Sequence, residues 1–260
     1  MPAIDRSPAA LFMAHPGHEL RVHGWLEAVR PCTFVLTRGD GGPDRTSRLA
    51  STRKLIAAAG ASEGSVFGRF EDREIYDALL RRDEALFVGL LDELVTELVA
   101  LNVEYVVGDA EEGYNPSHDV CRYLTTAAAV MASRATGLTI RDFDILLVGP
   151  PDLCPPAVRH QAILLRLDDA ALERKLRSAH EYVELKEEVE RALQRHGVEA
   201  FRTEFLRPVV RQAAPPAMPP FYEEYGERQV ASGRYADVIR YDRHVLPLKR
   251  ALWRHAHIDH

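Results

Sequence analysis

Short apolar segments alternate with helical patterns along most of this 260-residue chain, and this alternation restricts the fold more than any other sequence feature. Strand-like runs cover residues 9–14, 32–37, 65–67, 103–107, 144–148 and 161–166. Helical patterns cover residues 47–59, 84–101, 117–135 and 168–195. Strands that alternate with helices are typical of a parallel sheet covered on both faces. The sequence therefore predicts an α/β fold, a Rossmann-like three-layer sandwich with a mostly parallel sheet.

The chain divides by composition into two sections. Residues 1–212 contain every predicted strand, and we expect them to form one α/β domain. Residues 213–260 begin with a proline-rich stretch, which disfavours helix and behaves as a semi-rigid connector. The remainder is too short for a core of its own. We expect this C-terminal extension to pack against the domain.

The composition limits the kinds of molecule that this protein is expected to bind. The formal net charge of −6 argues against nucleic acid, whose binding proteins usually present a basic face. Apolar runs are shorter than the roughly 20 residues of a membrane-spanning helix, and the N-terminus shows no secretory signal. The three cysteines match no disulfide or zinc-ribbon pattern. We expect a cytoplasmic protein that binds a small-molecule substrate and neither nucleic acid nor membrane. The sequence does not determine the oligomeric state and is compatible with a homo-oligomer.

Two groups of histidines follow predicted strands. His15 and His18 come directly after the first strand, and His118 follows the strand that ends at residue 107. The carboxyl ends of parallel strands line the ligand crevice of such sheets, and imidazole is a favoured zinc ligand. A histidine in a loop is more often a surface or hydrogen-bonding residue, so the pattern alone leaves both interpretations open. The functional interpretation predicts a Zn²⁺ site, or a site for another divalent metal, at these three residues.

A resemblance favours the metal interpretation. The motif Ala-His-Pro-Gly-His-Glu at residues 14–19 resembles Ala-His-Pro-Asp-Asp-Glu of the PIG-L/LmbE-type zinc deacetylases. Further matches follow in the order of that family: Leu-Thr-Arg-Gly at residues 36–39, Arg48, Asp72, Asn-Pro-Ser-His at residues 115–118, and Lys175. The resemblance implies zinc at His15, His18 and His118. It also implies hydrolysis of an N-acyl or related carbon–nitrogen bond in a small substrate, such as a sugar derivative.

Several positions depart from the family's pattern. The first aspartate of the family's opening motif is its general base and the second is a zinc ligand, whereas this chain has Gly17 and His18. The first histidine of the second motif is replaced by Asn115, and the glutamate of the second helix by Ser51. The resemblance thus preserves three ligand positions and removes the usual base. We expect the glycine to leave a cavity beside the metal.

Four residues are candidates for catalytic roles in place of that base. Three of them are the nearby acids Asp40, Asp72 and Asp119. Like the further acid Glu19, each taken alone is more typical of a residue that caps a helix or orients a ligand. Tyr114 is the fourth candidate, because its hydroxyl could approach a bound oxyanion. Two functions follow: a zinc hydrolase assisted by one of these groups, or a divergent relative that has lost amide hydrolysis. The second would use the metal pocket for binding or for a different Lewis-acid reaction.

Overall fold

A computed structural model describes residues 5–39, 48–151, 153–210 and 219–258 of the chain. The strands are β1 (Ala9–Met13), β2 (Cys32–Thr37), β3 (Ser62–Phe70), β4 (Tyr105–Asp109), β5 (Arg141–Ile145), β6 (Ile163–Arg166) and β7 (Thr203–Pro208). The α-helices are α1 (His23–Val29), α2 (Leu49–Ala59), α3 (Asp72–Arg81), α4 (Glu84–Ala100), α5 (Pro116–Thr136), α6 (Asp169–Glu181), α7 (Lys186–His196), α8 (Phe221–Ala231) and α9 (Leu246–His255). Within these ranges, no helix has the length and apolar character needed to cross a membrane.

The strands form one sheet in the order β3-β2-β1-β4-β5-β7-β6. β1 to β5 pair in parallel, whereas β7 runs antiparallel to both β5 and β6. The predicted α/β fold with a mostly parallel sheet is confirmed. The sequence pattern missed β7 because a charged residue, Glu204, interrupts its apolar run. Glu204 is nevertheless buried, where it forms an ion pair with Lys175 of α6 at 2.8 Å.

Side chains of β1 alternate between two apolar cores, as the pleat of a strand requires. Ala10 and Phe12 join the core that contains side chains of α4, α5 and α9. Leu11 and Met13 join the core that contains side chains of α1 and α2. Helices therefore cover both faces of the sheet, which makes the three layers. Trp253 of α9 lies in the first core, where α9 packs against α4 and α5.

Two predicted elements differ from the structure. The single helix predicted over residues 168–195 is interrupted, because α6 ends at Glu181 and a short 3-10 turn, Val183–Leu185, precedes α7. The strand predicted over residues 144–148 lies instead at Arg141–Ile145. The backbone N–H groups of residues 147, 148 and 149 donate to the carboxylate of Glu112, so this segment forms a loop.

Candidate metal centre

The loops after β1 and β4 meet where the strand order of the sheet changes direction. β1 lies between β2 and β4, and such a switch point is where open α/β sheets form a ligand crevice. His15 and His18 follow β1, and His118 lies in the first turn of α5, after β4. The ring centroids are separated by 5.5 Å for His15 and His18, 5.1 Å for His15 and His118, and 4.7 Å for His18 and His118. The structure thus brings the three predicted histidines together.

A tight turn separates the first two histidines. Gly17 has a φ of 104°, in the left-handed region that favours glycine. Its N–H donates to the Oε2 atom of Glu19 at 2.8 Å, and Glu19 is fully buried. Burial raises the pKa of Glu19 to about 7, even though hydrogen bonds from its neighbours oppose the shift. The opening motif is therefore held by a carboxylate that stabilises its backbone.

Helix α5 begins at a polar cap that fixes the position of His118. The side chain of Asn115 accepts the N–H of Ser117 at 2.8 Å, and Pro116 occupies the first turn. Asn115 also donates through Nδ2 to the hydroxyl of Tyr76 at 3.1 Å. The residue that stands where the resemblance expects a histidine therefore acts here as a helix cap.

The hydrogen bonds of His15 define its tautomer. The Thr37 hydroxyl lies 3.1 Å from the carbonyl of Ala14, to which it can donate, and 2.8 Å from Nδ1 of His15. The Oδ1 atom of Asp72 lies 3.1 Å from the same Nδ1 and adds electrostatic attraction. These two acceptors favour the tautomer of His15 that has its hydrogen on Nδ1. The Nε2 atom keeps its lone pair and is the nitrogen that can bind a cation.

Asp109 holds the outer nitrogen of His18 in the same way. Both carboxylate oxygens of Asp109 lie 3.0 Å from Nδ1 of His18, and Oδ2 also accepts the N–H of Ala14 at 2.8 Å. Asp109 is fully buried at the end of β4. A carboxylate that holds the outer nitrogen of a histidine is the usual partner of a metal-binding imidazole, because it fixes the tautomer and makes the ring more basic. The Nε2 atom of His18 is again left with its lone pair.

His118 is buried, and its Nδ1 atom has no hydrogen-bond partner in the part of the chain that the structure describes. Burial holds the pKa of His118 well below its usual value, and the adjacent rings of His18 and His15 lower it further. The ring is therefore neutral, which is the form that binds a metal. A buried imidazole nitrogen without a partner costs free energy unless a ligand satisfies it.

The three rings have the spacing of a zinc site. Three imidazoles bound tetrahedrally at Zn–N distances of 2.0–2.1 Å place their ring centroids about 5 Å apart. Within the described ranges, however, no group of three His, Cys, Asp or Glu side chains forms a complete metal-binding arrangement. The outer nitrogens of His15 and His18 are held by hydrogen bonds, whereas Nδ1 of His118 has none among the described residues. Rotation of the His118 ring about χ2 can therefore redirect its nitrogens while its centroid stays nearly in place. The spacing and the hydrogen-bond partners therefore fit a divalent cation.

Among the predicted acids, Asp72 is the one in contact with this centre. It begins α3 directly after β3 and is partly exposed. Burial alone would raise the pKa of Asp72, but His15, Thr37 and the charge of Arg48 outweigh it and hold the pKa below the usual value. Asp72 is therefore ionised. It approaches the outer nitrogen of His15, on the side away from Nε2.

The other predicted catalytic residues have different surroundings. The Oδ1 atom of Asp119 accepts the backbone N–H groups of Glu112 and Gly113 at 3.2 Å, while its buried Oδ2 has no partner among the described residues. Asp40 lies outside the described residues. Tyr114 is exposed, and its ring stacks on that of Phe221 with centroids 5.0 Å apart.

The space beside Gly17 is filled, so the expectation of a cavity there is wrong. A Cβ atom added to Gly17 would lie 2.2 Å from Cδ1 of Leu185 and 3.7 Å from the ring of Tyr182. The Tyr182 hydroxyl donates to the carbonyl of Arg48 at 2.9 Å and contacts the hydroxyl of Thr52 at 2.8 Å. These bonds hold the turn between α6 and α7 against the start of α2, and the hydroxyl of Thr52 in turn donates to Glu19 of the opening motif at 2.7 Å. The apolar side chain of Leu185 therefore lies where the Cβ atom of a larger residue at position 17 would be.

Sequence reasoning missed two parts of this centre. Asp109 had a visible signal, because an acidic residue ends the buried strand β4, Tyr-Val-Val-Gly-Asp, at the same sheet edge as the histidines. Tyr182 and Leu185 had none. They lie within the segment predicted as one charged helix, and their contact with Gly17 depends on where α6 ends.

Comparison with known proteins identifies the fold. No family model and no curated protein sequence matches this chain. The crystal structure of the conserved protein TT1542 from Thermus thermophilus is 20% identical, with a TM-score of 0.51, covering 82% of this chain and 100% of that chain. The zinc-inhibited form of teicoplanin deacetylase Orf2 is 14% identical, with a TM-score of 0.50, covering 78% of this chain and 98% of that chain. The chain therefore has the fold of the LmbE/PIG-L-like deacetylases.

Proposed function

We propose that this protein is a metal-dependent hydrolase that cleaves an N-acyl or related carbon–nitrogen bond of a small substrate. The observation that carries the proposal is the convergence of three imidazoles, two of which have their outer nitrogens held by acceptors. His15, His18 and His118 would hold zinc or another divalent cation. The deacetylase fold of the structural neighbours supports the reaction class.

The cation would supply a Lewis acid that polarises the acyl carbonyl and acidifies water. Three neutral imidazoles leave its charge uncompensated, so a separate carboxylate base contributes less than in the family's own arrangement. Thr37, Asp72 and Asp109 orient the ligand rings, and Glu19 holds the turn between them. The protein's own residues thus contribute a fixed arrangement of neutral nitrogen ligands.

A proton must still reach the departing amine, because an amide nitrogen leaves poorly unless it is protonated. Asp72 is the predicted acid that both contacts the centre and is partly exposed. We assign it the orientation of the His15 ring. The attacking water gives its hydroxide to the acyl carbon and is the source of the proton that the departing amine takes up. Asp119 supports the loop before α5, and Tyr114 lies at the outer rim of the site.

A second function is favoured by one specific observation. Leu185 fills the space beside Gly17, so the usual base cannot be restored there without a rearrangement. A protein with this arrangement could use its metal pocket for binding, or for a Lewis-acid reaction that needs no carboxylate base. The two functions predict the same metal content and different turnover.

One experiment tests the proposal. Zinc per chain is measured after dialysis, together with release of acetate from a set of N-acetyl amines that includes N-acetyl sugars. We expect about one zinc per chain and turnover that a chelator abolishes. The triple alanine variant of His15, His18 and His118 should lose both properties, whereas His160→Ala, which removes an exposed histidine, should keep both.

The outcomes separate the alternatives. Unchanged zinc content in the triple variant would exclude this metal centre. Bound zinc in the wild-type protein without turnover of any N-acyl substrate would overturn the hydrolase and leave the binding function.

A further inference from the structure

All strongly exposed aromatic side chains of the described residues lie in one patch. Tyr114, Phe221, Tyr225 and Tyr235 each expose between 40% and 45% of their surface, and every other exposed large apolar side chain is aliphatic. Single exposed apolar residues are ordinary on a protein surface, but a contiguous group usually marks a binding site. We call these four residues the aromatic row.

The rings contact one another in sequence. Tyr114 stacks on Phe221 with centroids 5.0 Å apart and planes inclined by 3°. Phe221 lies 6.2 Å from Tyr225, which lies 6.4 Å from Tyr235 in an edge-to-face arrangement. These are the separations at which aromatic rings attract one another. The guanidinium of Arg228 lies over Phe221 and is paired with Glu224, so the row carries little net charge.

Helix α8 holds the row in place with its opposite face. Tyr222 is buried in the core, and Gly226 lies against Val238. The residues at helical spacing on the other face, Phe221 and Tyr225, are exposed. A surface helix normally presents polar residues on that face. A well-packed helix therefore holds Phe221 and Tyr225 on its solvent-exposed face, where they do not contribute to the core.

The row is continuous with the candidate metal centre. Tyr114 precedes the cap residue Asn115, four positions before His118, and Asn115 bonds to Tyr76. Tyr114 therefore places one end of the row beside the start of the helix that carries His118.

We propose that the aromatic row binds an aryl group of the substrate, while the acylated nitrogen lies at the three histidines. This inference rests on the proposed function, because it places one substrate across both features. An uncharged planar ring suits an uncharged row of rings, and it can extend the parallel stack of Tyr114 and Phe221 in the offset geometry that aromatic pairs prefer. The row would thus determine specificity and take no part in the bond cleavage.

Two matched probes test this inference on the full-length, zinc-loaded protein. N-acetylbenzylamine carries a phenyl ring, and N-acetylcyclohexylmethylamine carries a saturated ring of similar size. Kd is measured by titration calorimetry. We expect the phenyl probe to bind roughly two- to tenfold more tightly. The variants Tyr225→Leu and Phe221→Leu/Tyr225→Leu should remove that preference and leave the affinity for the saturated probe nearly unchanged.

A control variant and a variant of the metal centre distinguish a failure of this inference from a failure of the proposed function. Leu138→Ala removes an exposed apolar side chain beyond the far end of α5, about 30 Å from His118, and should preserve the preference. His118→Ala should weaken both probes equally and keep their ratio. Absence of hydrolysis with the ratio intact would contradict the proposed function alone. Equal affinities for the two probes in the wild-type protein would overturn the aromatic subsite alone. A dimer that the double variant dissociates would show a self-association surface and would also overturn it.

Discussion

The two sides of the loop that carries His15 and His18 have opposite surroundings. On one side, the imidazole rings meet Thr37 and Asp109, which hold the outer nitrogens of His15 and His18. On the other side, Gly17 is covered by the apolar side chain of Leu185. On the first side the outer nitrogens of both rings are held, whereas on the second an added Cβ atom would lie 2.2 Å from Leu185. We call these the imidazole side and the closed side, and four predictions test whether the two sides act independently.

The largest expected effect is on the imidazole side. His118→Ala removes one of three ligands, and we expect zinc affinity to fall by more than about 100-fold, beyond the range found when an outer hydrogen-bond partner of a ligand is lost. Competition with a chromogenic chelator measures the change. Zinc affinity within twofold of wild type would show that the convergence of the three rings has no relation to metal binding.

Substitution of Gly17 tests the closed side. Gly17→Asp places a Cβ atom 2.2 Å from Leu185 at a φ of 104°, so we expect a loss of about 2–4 kcal/mol in the free energy of unfolding. Denaturant unfolding measures it. Gly17→Ala and Gly137→Ala form a matched pair, because Gly137 also has a positive φ but no atom within 4 Å of an added Cβ. Gly137→Ala should lower the free energy of unfolding less than Gly17→Ala does. Equal losses in the two variants would mean that Leu185 leaves space for a side chain at position 17.

Asp109 joins the imidazole side to the sheet. Asp109→Asn keeps the shape of the side chain but removes the charge that holds His18, so we expect zinc affinity to fall by about 10- to 100-fold. Asp142→Asn is a suitable control, since it weakens a buried ion pair with Arg122 that makes no contact with the histidines. If both variants lower zinc affinity equally, the effect is one of general stability.

The smallest effect is expected on the closed side. Tyr182→Phe removes the hydroxyl that bonds to the Arg48 carbonyl and to Thr52, which should cost about 0.5–1.5 kcal/mol of stability. Zinc affinity should be unchanged. Tyr114→Phe removes an exposed hydroxyl and should alter stability by less than about 0.5 kcal/mol. A loss of zinc binding in Tyr182→Phe would show that the two sides are coupled.

The sequence predicted the parts of this structure that depend on local pattern. Periodicity was sufficient for the parallel core of the sheet, and the motif resemblance placed His15, His18 and His118 in one centre. Contacts between distant segments were not accessible in this way. The end of α6 depends on the burial of Tyr182 and Leu185 against residues near the N-terminus, which no local spacing encodes. The strand β7 was hidden because its buried Glu204 is stabilised by Lys175 of α6 and by the backbone N–H groups of Gly24 and Trp25 of α1, which lie on different elements.

The contact between Gly17 and Leu185 also sets the order in which this site could change during evolution. An aspartate introduced at position 17 would meet Leu185, so that single mutation would lower stability unless Leu185 moved. Shortening Leu185 first would open an apolar gap under the loop, at the cost that cavities carry. Each single step lowers stability, whereas the two changes together avoid both costs. Leu185, a residue outside the motif, therefore favours glycine at position 17.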